Sequence, residues 1–449
     1  MKGERKNVLI NFAFTNGVLA VFCFTIFVLF WGINYRITDK YHRVQILAVI
    51  QDEGINNSTV LPMASILPTL MQENPATWHL YNTTSFNEKF GTNSTEAIDK
   101  EVIHEVFSEH YWMALNVKPN ATQALFETFI NPNGPPFNST EYFQAVFLSA
   151  RDPSNFRVTL LPLIEFLETA YRNYYINTYF PQFMSNVSIA NNLTTVNVTN
   201  IALAGAMNFD YFDYRPFTER ELIAPVMIGV AYCLLLTFFQ FLVYSGLHAE
   251  TSRLLKPNQV IYYRIIMLWC TMFIASLFFC TTSAIFQVDF TRAFGKGGFV
   301  VYWMTTWLFM VACGGTNENA VSLLFLMGPR FLGIWILSFI ILNITPTFYP
   351  LILANPVYRY GYMMPVHNAI DIYRVIFLDL SKHKMGRNFG LLIAWIAMNT
   401  AALPFVYKFV SKILTNRVVE EAQAKAKQEA LKEAKRRAHS VAAGKNLDE

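Results

Sequence analysis

Residues 8–33 read VLINFAFTNGVLAVFCFTIFVLFWGI, a predominantly apolar stretch close to the amino end of the chain. A helix needs roughly 20 apolar residues to cross hydrocarbon about 30 Å thick, because unpaired backbone groups cannot face lipid. Lys2, Arg5 and Lys6 precede the stretch as in a secretory signal, but no small-residue cleavage site follows it. We therefore expect an uncleaved signal anchor that spans the membrane.

The composition extends this expectation to the whole chain. Of the 449 residues, 53% are hydrophobic and only 15% are charged, whereas about 25% of the residues in a soluble domain are charged. Five further apolar runs lie at residues 222–247, 261–286, 299–327, 331–353 and 389–410. The sequence therefore predicts a polytopic α-helical membrane protein with six transmembrane helices. The net charge of +4 gives no indication of a nucleic-acid partner.

Between the first two apolar runs lies a polar segment, residues 34–221, that is long enough to fold as a domain. Its stretches VQILAVIQDEG (44–54), HYWMALNV (110–117) and EYFQAVF (141–147) are typical of strands, and TLLPLIEFLETAYRNYYINTYF (159–180) has the apolar spacing of a helix. We therefore expect a mixed α/β domain between helices 1 and 2.

The remaining boundaries follow from the apolar runs. Residues 1–33 form the amino terminus and signal anchor, residues 222–411 a five-helix membrane bundle, and residues 412–449 a basic helical tail. Prolines interrupt the bundle at about 346–378, which predicts a re-entrant or interfacial segment there.

Glycosylation triplets indicate which side of the membrane the α/β domain faces. Nine asparagines begin N-x-S/T triplets within residues 34–221: Asn56, Asn57, Asn82, Asn93, Asn120, Asn138, Asn186, Asn192 and Asn197. Asn343 begins another triplet inside the fifth span, where glycosylation cannot reach it. This asymmetry predicts a lumenal or extracellular domain. Six spans then place both termini in the cytosol, and the basic tail agrees.

One charge pattern disagrees with that orientation. The loop between spans 5 and 6 would lie outside although it is basic, with Arg359, Arg374, Lys382, Lys384 and Arg387. Within the loop, Arg359 and Arg374 are candidates to hold lipid phosphate beside Tyr358, Tyr360, Tyr362 and Tyr373 at headgroup level. Anchoring the segment in the membrane is the simpler role, and substrate handling by Arg374 is the alternative.

The stretch CGGTNEN (313–319) in the fourth span places polar groups in an apolar run. Ionisable residues in hydrocarbon are costly and usually face a cavity or a partner, so Asn317, Glu318 and Asn319 are candidates for a substrate path. The alternative is that Glu318 lies near the cytosolic interface and reaches water. Gly314 and Gly315 are expected to loosen the helix.

The sequence carries no enzyme signature. HEVFSEH (104–110) has its histidines six residues apart, which does not fit the four-residue spacing of a zinc helix, and Arg151–Asp152 reads as a turn more readily than as a headgroup site. Nucleophile elbow and cofactor motifs are absent.

The five cysteines all fall in apolar spans, so we expect them to pack as small apolar residues and the α/β domain to lack disulfides.

Several stretches resemble a known family. They are WMALNVKPNATQAL (112–125), ARDPSNF (150–156), DYRPFTERELIAPVMIGVAY (213–232), YGYMMPVHNAIDIYRVIF (360–377) and GRNFGLLIAWI (386–396). The chain resembles the fungal nitrosoguanidine-resistance membrane proteins, which are similar in turn to phage-infection-protein and ABC-transporter type 2 permeases. The resemblance implies a six-span permease-like bundle in the plasma membrane, a role in resistance to a toxic alkylating agent or in lipid organisation, and, by analogy with permeases, a homodimer.

Two functions fit the sequence. The chain either translocates a lipid or a hydrophobic drug, or acts as a scaffold or sensor of lipid status that recruits partners through its tail and glycosylated domain. A phosphate loop for ATP is absent, so a pump would draw its energy from elsewhere.

The orientation is directly testable. We expect endoglycosidase digestion to increase the gel mobility of the full-length protein, and substitution of all nine asparagines by glutamine to give the same mobility without digestion. Unchanged mobility, together with a cytosolic location for a tag inserted near Asn138, would refute the orientation.

Overall fold

The structure, a computed structural model, describes residues 2–55, 60–131, 133–191 and 197–445. Five helical segments in these ranges are long and apolar enough to cross a membrane: Arg5–Gly32, Arg220–Val243, Pro257–Ile285, Thr291–Met327 and Lys382–Lys432. They agree in position with spans 1, 2, 3, 4 and 6 of the sequence-based expectation. The chain is therefore a multi-pass membrane protein.

The fifth expected span is shorter than predicted. An apolar helix covers only Phe331–Ile344, 14 residues, and at 1.5 Å per residue it rises about 21 Å. Pro346 and Pro350 follow at once and remove backbone donors, so the chain continues in turns. The structure thus contains five spans of sufficient length and one short apolar helix, where the sequence predicted six full spans.

The helices of the membrane segments have the following bounds: α1 Lys2–Phe22, α2 Val28–Gly32, α10 Gly229–Val243, α11 Ser245–Leu254, α12 Pro257–Ile285, α13 Thr291–Phe294, α14 Gly298–Met327, α15 Phe331–Ile344, α16 Pro365–Leu378 and α17 Met385–Lys445. Helix α14 runs unbroken through Gly314 and Gly315, so the expected loosening is wrong. A Cβ at Gly314 would lie 2.8 Å from the Leu268 side chain, and one at Gly315 would lie 2.9 Å from the Asn399 Cβ. The glycines serve close helix packing instead.

A five-stranded mixed sheet forms the centre of the α/β domain. Its strands are β1 Gln45–Ile50, β2 Thr77–Asn82, β3 Met113–Val117, β4 Phe143–Phe147 and β5 Asp210–Asp213, in the order β2-β1-β3-β4-β5. Strands β1, β2 and β3 are parallel, β4 is antiparallel to β3, and β5 is parallel to β4. The three strands expected from sequence are β1, β3 and β4.

Helices cover both faces of the sheet. They are α3 Leu67–Glu73, α4 Thr83–Phe90, α5 Thr95–Phe107, α6 Ala121–Ile130, α7 Pro162–Tyr174, α8 Phe180–Asn191 and α9 Val198–Ala204. One face of β1, β3 and β4 packs against α3, α6, α7 and α8 in a single core, and α4 and α5 contact the other face. Tyr171, Tyr175 and Tyr179 lie in that core, and their hydroxyls donate to backbone carbonyls. None of the five cysteines lies in this domain.

The strands of the sheet end on two opposite sides, which face different surroundings. The starts of β1, β2 and β3 align with the ends of β4 and β5 along one of these sides. The chain enters β1 soon after the first span and leaves β5 shortly before the second, so we name this the membrane-side edge. Asn82, Asn120 and Asn138 adjoin strand ends at the opposite edge.

The glycosylation candidates are mostly accessible. Asn82, Asn93, Asn120, Asn138 and Asn186 are exposed and Asn197 is half-buried, whereas Asn56, Asn57 and Asn192 lie outside the described residues. Asn343 is fully buried. Accessible side chains at the edge away from the spans are compatible with the predicted glycosylation, which stays a prediction.

The chain divides into two compact units. The first comprises residues 1–231, 279–306 and 340–391, and the second comprises residues 232–278, 307–339 and 392–449. The α/β domain therefore shares its unit with α16 and the segment before it, which the sequence assigned to the membrane bundle. Leu353 of that segment packs into the domain core.

The sheet core supplies a test of the fold. Leu115 lies fully buried on the interior strand β3, so Leu115→Ala should destabilise the protein by about 2–5 kcal/mol through lost burial and a cavity. Leu80→Ala, on the edge strand β2 where Leu80 is 43% exposed, is the matched control and should cost less than about 1 kcal/mol. Thermal unfolding of the detergent-solubilised protein measures both, and equal losses would contradict the assigned sheet order.

Candidate functional site

A cavity of about 730 Å³ opens in the first unit at the membrane-side edge of the sheet. Part of its wall comes from the α/β domain, and the rest comes from the segment after α15, from α16 and from the start of α17. The charged or aromatic residues of its wall include Arg43, Glu109, Trp112, Arg151, Asp152, Tyr349, Arg359, Tyr362, His367, Asp371, Arg374, Lys384 and Arg387. We call it the basic cavity.

Arg151 is fixed in the wall by several contacts. It ends the short turn that follows β4, and its guanidinium carbon lies 3.7 Å from the ring centroid of Trp112. Its Nη1 donates to the Tyr111 carbonyl at 2.9 Å, and its Nη2 lies 3.9 Å from Glu109 Oε2. Stacking and pairing of this kind hold an arginine in one orientation.

Glu109 connects the α/β domain with the last span. It follows α5 with a left-handed backbone (φ 63°), and its carboxylate forms an ion pair with Lys384 as well as facing Arg151. Burial opposes ionisation of this carboxyl, but Arg151 and Lys384 outweigh it, so the pKa of Glu109 lies below its ordinary value. Glu109 is therefore ionised at neutral pH and neutralises part of the cavity's positive charge.

Helix α16 presents three ionisable residues on one face, at positions i, i+4 and i+7. Asp371 lies 3.6 Å from His367 Nε2 and 3.7 Å from Arg374 Nη1. Arg374 Nη1 also donates to the Arg151 carbonyl at 3.1 Å. Burial, opposed by Asp371, holds the pKa of His367 below its ordinary value. His367 Nδ1 and Arg374 Nε have no hydrogen-bond partner among the described residues, although both side chains are about nine-tenths buried.

Asp152 forms the turn that the sequence favoured for Arg151–Asp152, and headgroup binding at this position stays a prediction. Asp152 Oδ1 accepts from the Asn155 backbone N–H and side chain, both at 3.2 Å, which is the geometry of a turn. Asn155 Nδ2 also donates to the Phe348 carbonyl at 2.5 Å. Burial, opposed by Arg374, raises the pKa of Asp152. The turn therefore both shapes the cavity wall and joins the domain to the segment after α15.

The cavity carries an excess of positive charge. Six cationic residues line it, namely Arg43, Arg151, Arg359, Arg374, Lys384 and Arg387, and three carboxylates, Glu109, Asp152 and Asp371. With neutral histidines the difference is three positive charges. Such a site can bind an anion through charge-assisted hydrogen bonds.

In the second unit, Asn317 and Asn319 join helices together. Asn317 Nδ2 donates to Thr237 Oγ1 at 2.9 Å, and Trp335 Nε1 donates to Asn317 Oδ1 at 3.0 Å. Asn319 Nδ2 donates to the Asn399 carbonyl at 3.0 Å. Interhelical hydrogen bonds of this kind stabilise packed membrane helices, so both asparagines have a structural role besides the substrate path predicted for them.

Glu318 is buried rather than exposed to water. It is 2% exposed, and its Oε1 lies 2.7 Å from Arg264 Nε. The expectation that it reaches water at the interface is therefore wrong for this structure. The cavity beside it has a volume of about 10 Å³, room for one water at most, so this cavity is too small for a substrate.

The substrate-path candidates thus fall into two groups. Arg374 lines the basic cavity of the first unit, and Asn317, Glu318 and Asn319 belong to the second. Tyr373 is fully buried and its hydroxyl lies 2.8 Å from Thr306 Oγ1, so its side chain is enclosed by protein and does not face lipid headgroups. In the α/β domain, His104 and His110 bond Ser108 and Glu105 separately.

Sequence reasoning missed several of the site residues. Arg43 belongs to none of the motifs considered in the sequence, and Glu109 lies within HEVFSEH (104–110), where only the histidine spacing was considered. Arg264 carried a signal, because it is a cation within the apolar run 261–286 and Glu318 is the carboxylate of the run 299–327. Such intramembrane charges usually have a partner.

Comparison with known proteins places the chain among membrane proteins. Residues 16–401 match a family described as a protein of unknown function, DUF3533. A Saccharomyces cerevisiae protein, named an uncharacterized endoplasmic reticulum membrane protein, is 52% identical over 430 residues, which is 94% of this chain and 84% of that protein. No solved structure matches the chain.

The ion pair in the second unit supplies a test. Glu318→Gln should lower the stability of the detergent-solubilised protein by about 3–5 kcal/mol, because it leaves Arg264 buried without a counter-charge. The double variant Arg264→Met with Glu318→Met should be milder, since no buried charge remains. Glu420→Gln on the exposed part of α17 is the control. A single variant with an unchanged melting midpoint in fluorescence-detected size exclusion would show that the pair is not structural.

Proposed function

The chain belongs to the DUF3533 family, and on that premise we propose that it is a permease-like protein that holds the polar end of a lipid or hydrophobic drug in its basic cavity and translocates the molecule. One observation carries this proposal. The cavity of about 730 Å³ is built jointly by the α/β domain and by segments adjoining two apolar helices. Ligand cavities commonly measure about 300–1,000 Å³.

The position of the cavity suits an amphiphile. Tyr349, Leu351 and Ile352 of its wall follow α15 within a few residues, and Arg387 lies in the first turn of α17. A molecule with its polar end among these charges can keep its apolar part in the adjoining hydrocarbon. Asn317, Glu318 and Asn319 stay candidates for a substrate path within the second unit, where the helices would have to separate, because the cavity beside Glu318 measures only about 10 Å³.

Resistance to a toxic alkylating agent is the physiological role that follows from the resemblance to nitrosoguanidine-resistance proteins. Removal of the agent, or a change in the lipid barrier that it crosses, would both protect the cell. The homodimer expected from permeases belongs to the same proposal.

We propose on which side of the membrane each part of the chain lies, and we do not assign the membrane to one organelle. The resemblance implies the plasma membrane, and the name of the yeast relative gives the endoplasmic reticulum. In both membranes the α/β domain would face away from the cytosol, and the amino terminus and the tail would lie in the cytosol.

A scaffold or sensor of lipid status is the second candidate, and the tail favours it. Helix α17 continues to Lys445, and nearly all of residues 411–432 are exposed. A long solvated helix offers a surface for partners without any role in translocation.

Reconstitution separates the two functions. Purified full-length protein is placed in liposomes that carry a fluorescent phospholipid in both leaflets, and dithionite bleaches the outer leaflet. A translocator should make well over half of the probe accessible, whereas protein-free liposomes stop at about half because each leaflet holds half of the lipid.

A deletion of residues 418–449 is the matched variant. A translocator should keep its rate without the tail. If the full-length protein leaves the inner leaflet unbleached, and cells lose resistance when the tail is deleted, the translocation proposal is refuted and the scaffold is supported.

A further inference from the structure

We propose that the basic cavity binds the phosphate of an anionic phospholipid headgroup. This inference rests on the proposed function in that it names the class of molecule whose polar end enters the cavity. It concerns binding alone, so it is tested without any translocation step.

The excess charge of the cavity resides on three arginines. Arg43, Arg359 and Arg387 have no carboxylate within 4 Å among the described residues. Arg43 Nη1 donates to the Ala354 carbonyl at 3.0 Å, and Arg387 bonds the amide oxygen of Asn388. The side chain of Arg359 is exposed and has no hydrogen-bond partner among the described residues. Each retains N–H donors for an anion.

The carboxylates of the cavity do not cancel these arginines. Glu109 is engaged by Arg151 and Lys384, and Asp371 lies between His367 and Arg374. Asp152 is buried in its turn with Asn155. An anion that enters the cavity therefore meets three arginines that are not paired with a carboxylate of the described residues, and its charge lowers the mutual repulsion of these arginines.

A buried N–H donor of Arg374 adds to the attraction of the cavity for an anion. Arg374 Nε is unpartnered among the described residues, and the residue is 9% exposed. A buried charged donor without a partner carries a desolvation cost that a ligand oxygen can remove. Guanidinium groups match phosphate oxygens through paired N–H donors, which makes phosphate the best-fitting anion for a set of arginines.

The surroundings favour a phosphate that is attached to a lipid. The cavity is much larger than a phosphate ion needs, and its wall includes the apolar or aromatic side chains of Tyr349, Pro350, Leu351 and Ile352. This segment directly follows the apolar helix α15. A headgroup that carries acyl chains fills the space and keeps its tails beside the hydrocarbon, whereas a soluble phosphate ester uses only the charged part.

The test compares lipids on purified full-length protein in detergent. Native mass spectrometry measures the binding of phosphatidic acid, of phosphatidylcholine and of soluble sn-glycerol 3-phosphate. We expect phosphatidic acid to bind at least about tenfold more tightly than phosphatidylcholine, because it adds charge-assisted hydrogen bonds to a net anionic ligand.

Two double variants that remove equal charge provide the contrast. Arg359→Gln with Arg387→Gln, both in the cavity wall, should weaken phosphatidic acid binding by about tenfold. Arg36→Gln with Arg157→Gln changes two exposed arginines outside the cavity wall and should leave binding unchanged. Melting midpoints of all variants show whether each is folded, and a misfolded pair is replaced by the Arg359→Gln single variant at an exposed position.

Each outcome decides. Equal weakening by both pairs, or no preference for phosphatidic acid over phosphatidylcholine and no binding of glycerol phosphate, overturns the proposal. Cavity-dependent binding of glycerol phosphate without a preference for phosphatidic acid keeps phosphate recognition and overturns the lipid source. Cavity-dependent binding of phosphatidic acid supports the proposal even if reconstituted protein translocates nothing, in which case only the proposed function fails.

Discussion

The contacts of Arg151 hold together the parts of the first unit on which the candidate site depends. Its guanidinium stacks on Trp112 and faces Glu109, and its carbonyl accepts a hydrogen bond from Arg374. One residue thus joins the end of β4, the loop before β3 and helix α16. Glu109 also pairs with Lys384, so the same group of charges reaches the start of the last span. The part of the cavity wall from the α/β domain is thereby joined to the part from α16 and the start of α17.

These contacts bear on the charge pattern that disagrees with the predicted orientation. If the loop before the last span lies outside the cytosol, as the sequence predicts, its basic residues are unfavourable there when their charges are free. Here Lys384 pairs with Glu109, Arg374 lies near Asp371, and Lys382 donates to the Ala293 carbonyl at 2.8 Å. The loop is therefore part of a folded unit with the α/β domain, and its charges are retained for contacts within that unit and for the cavity.

The sequence predicted the apolar helices, the helix at residues 159–180 and three strands, because apolar periodicity is a local property. It missed β2 and β5, whose residues are only partly buried at most positions, so that their pattern is weak. It placed Arg374 in a loop at the membrane and Arg151 in a turn, and both lie in the cavity wall. Their proximity depends on contacts across more than two hundred residues, which no spacing rule along the chain can supply.

The short helix α15 has a consequence for the bilayer itself. Its rise of about 21 Å is less than the roughly 27 Å hydrocarbon of an endoplasmic reticulum membrane and well below the thickness of a sterol-rich plasma membrane. If α15 crosses the bilayer, thinning of the bilayer around it is one way to match its length, beside flanking side chains that reach the interface and oligomerisation. Local thinning would shorten the distance over which a headgroup is dehydrated. The mismatch between α15 and the hydrocarbon would also be smaller in a thin membrane than in a thick one.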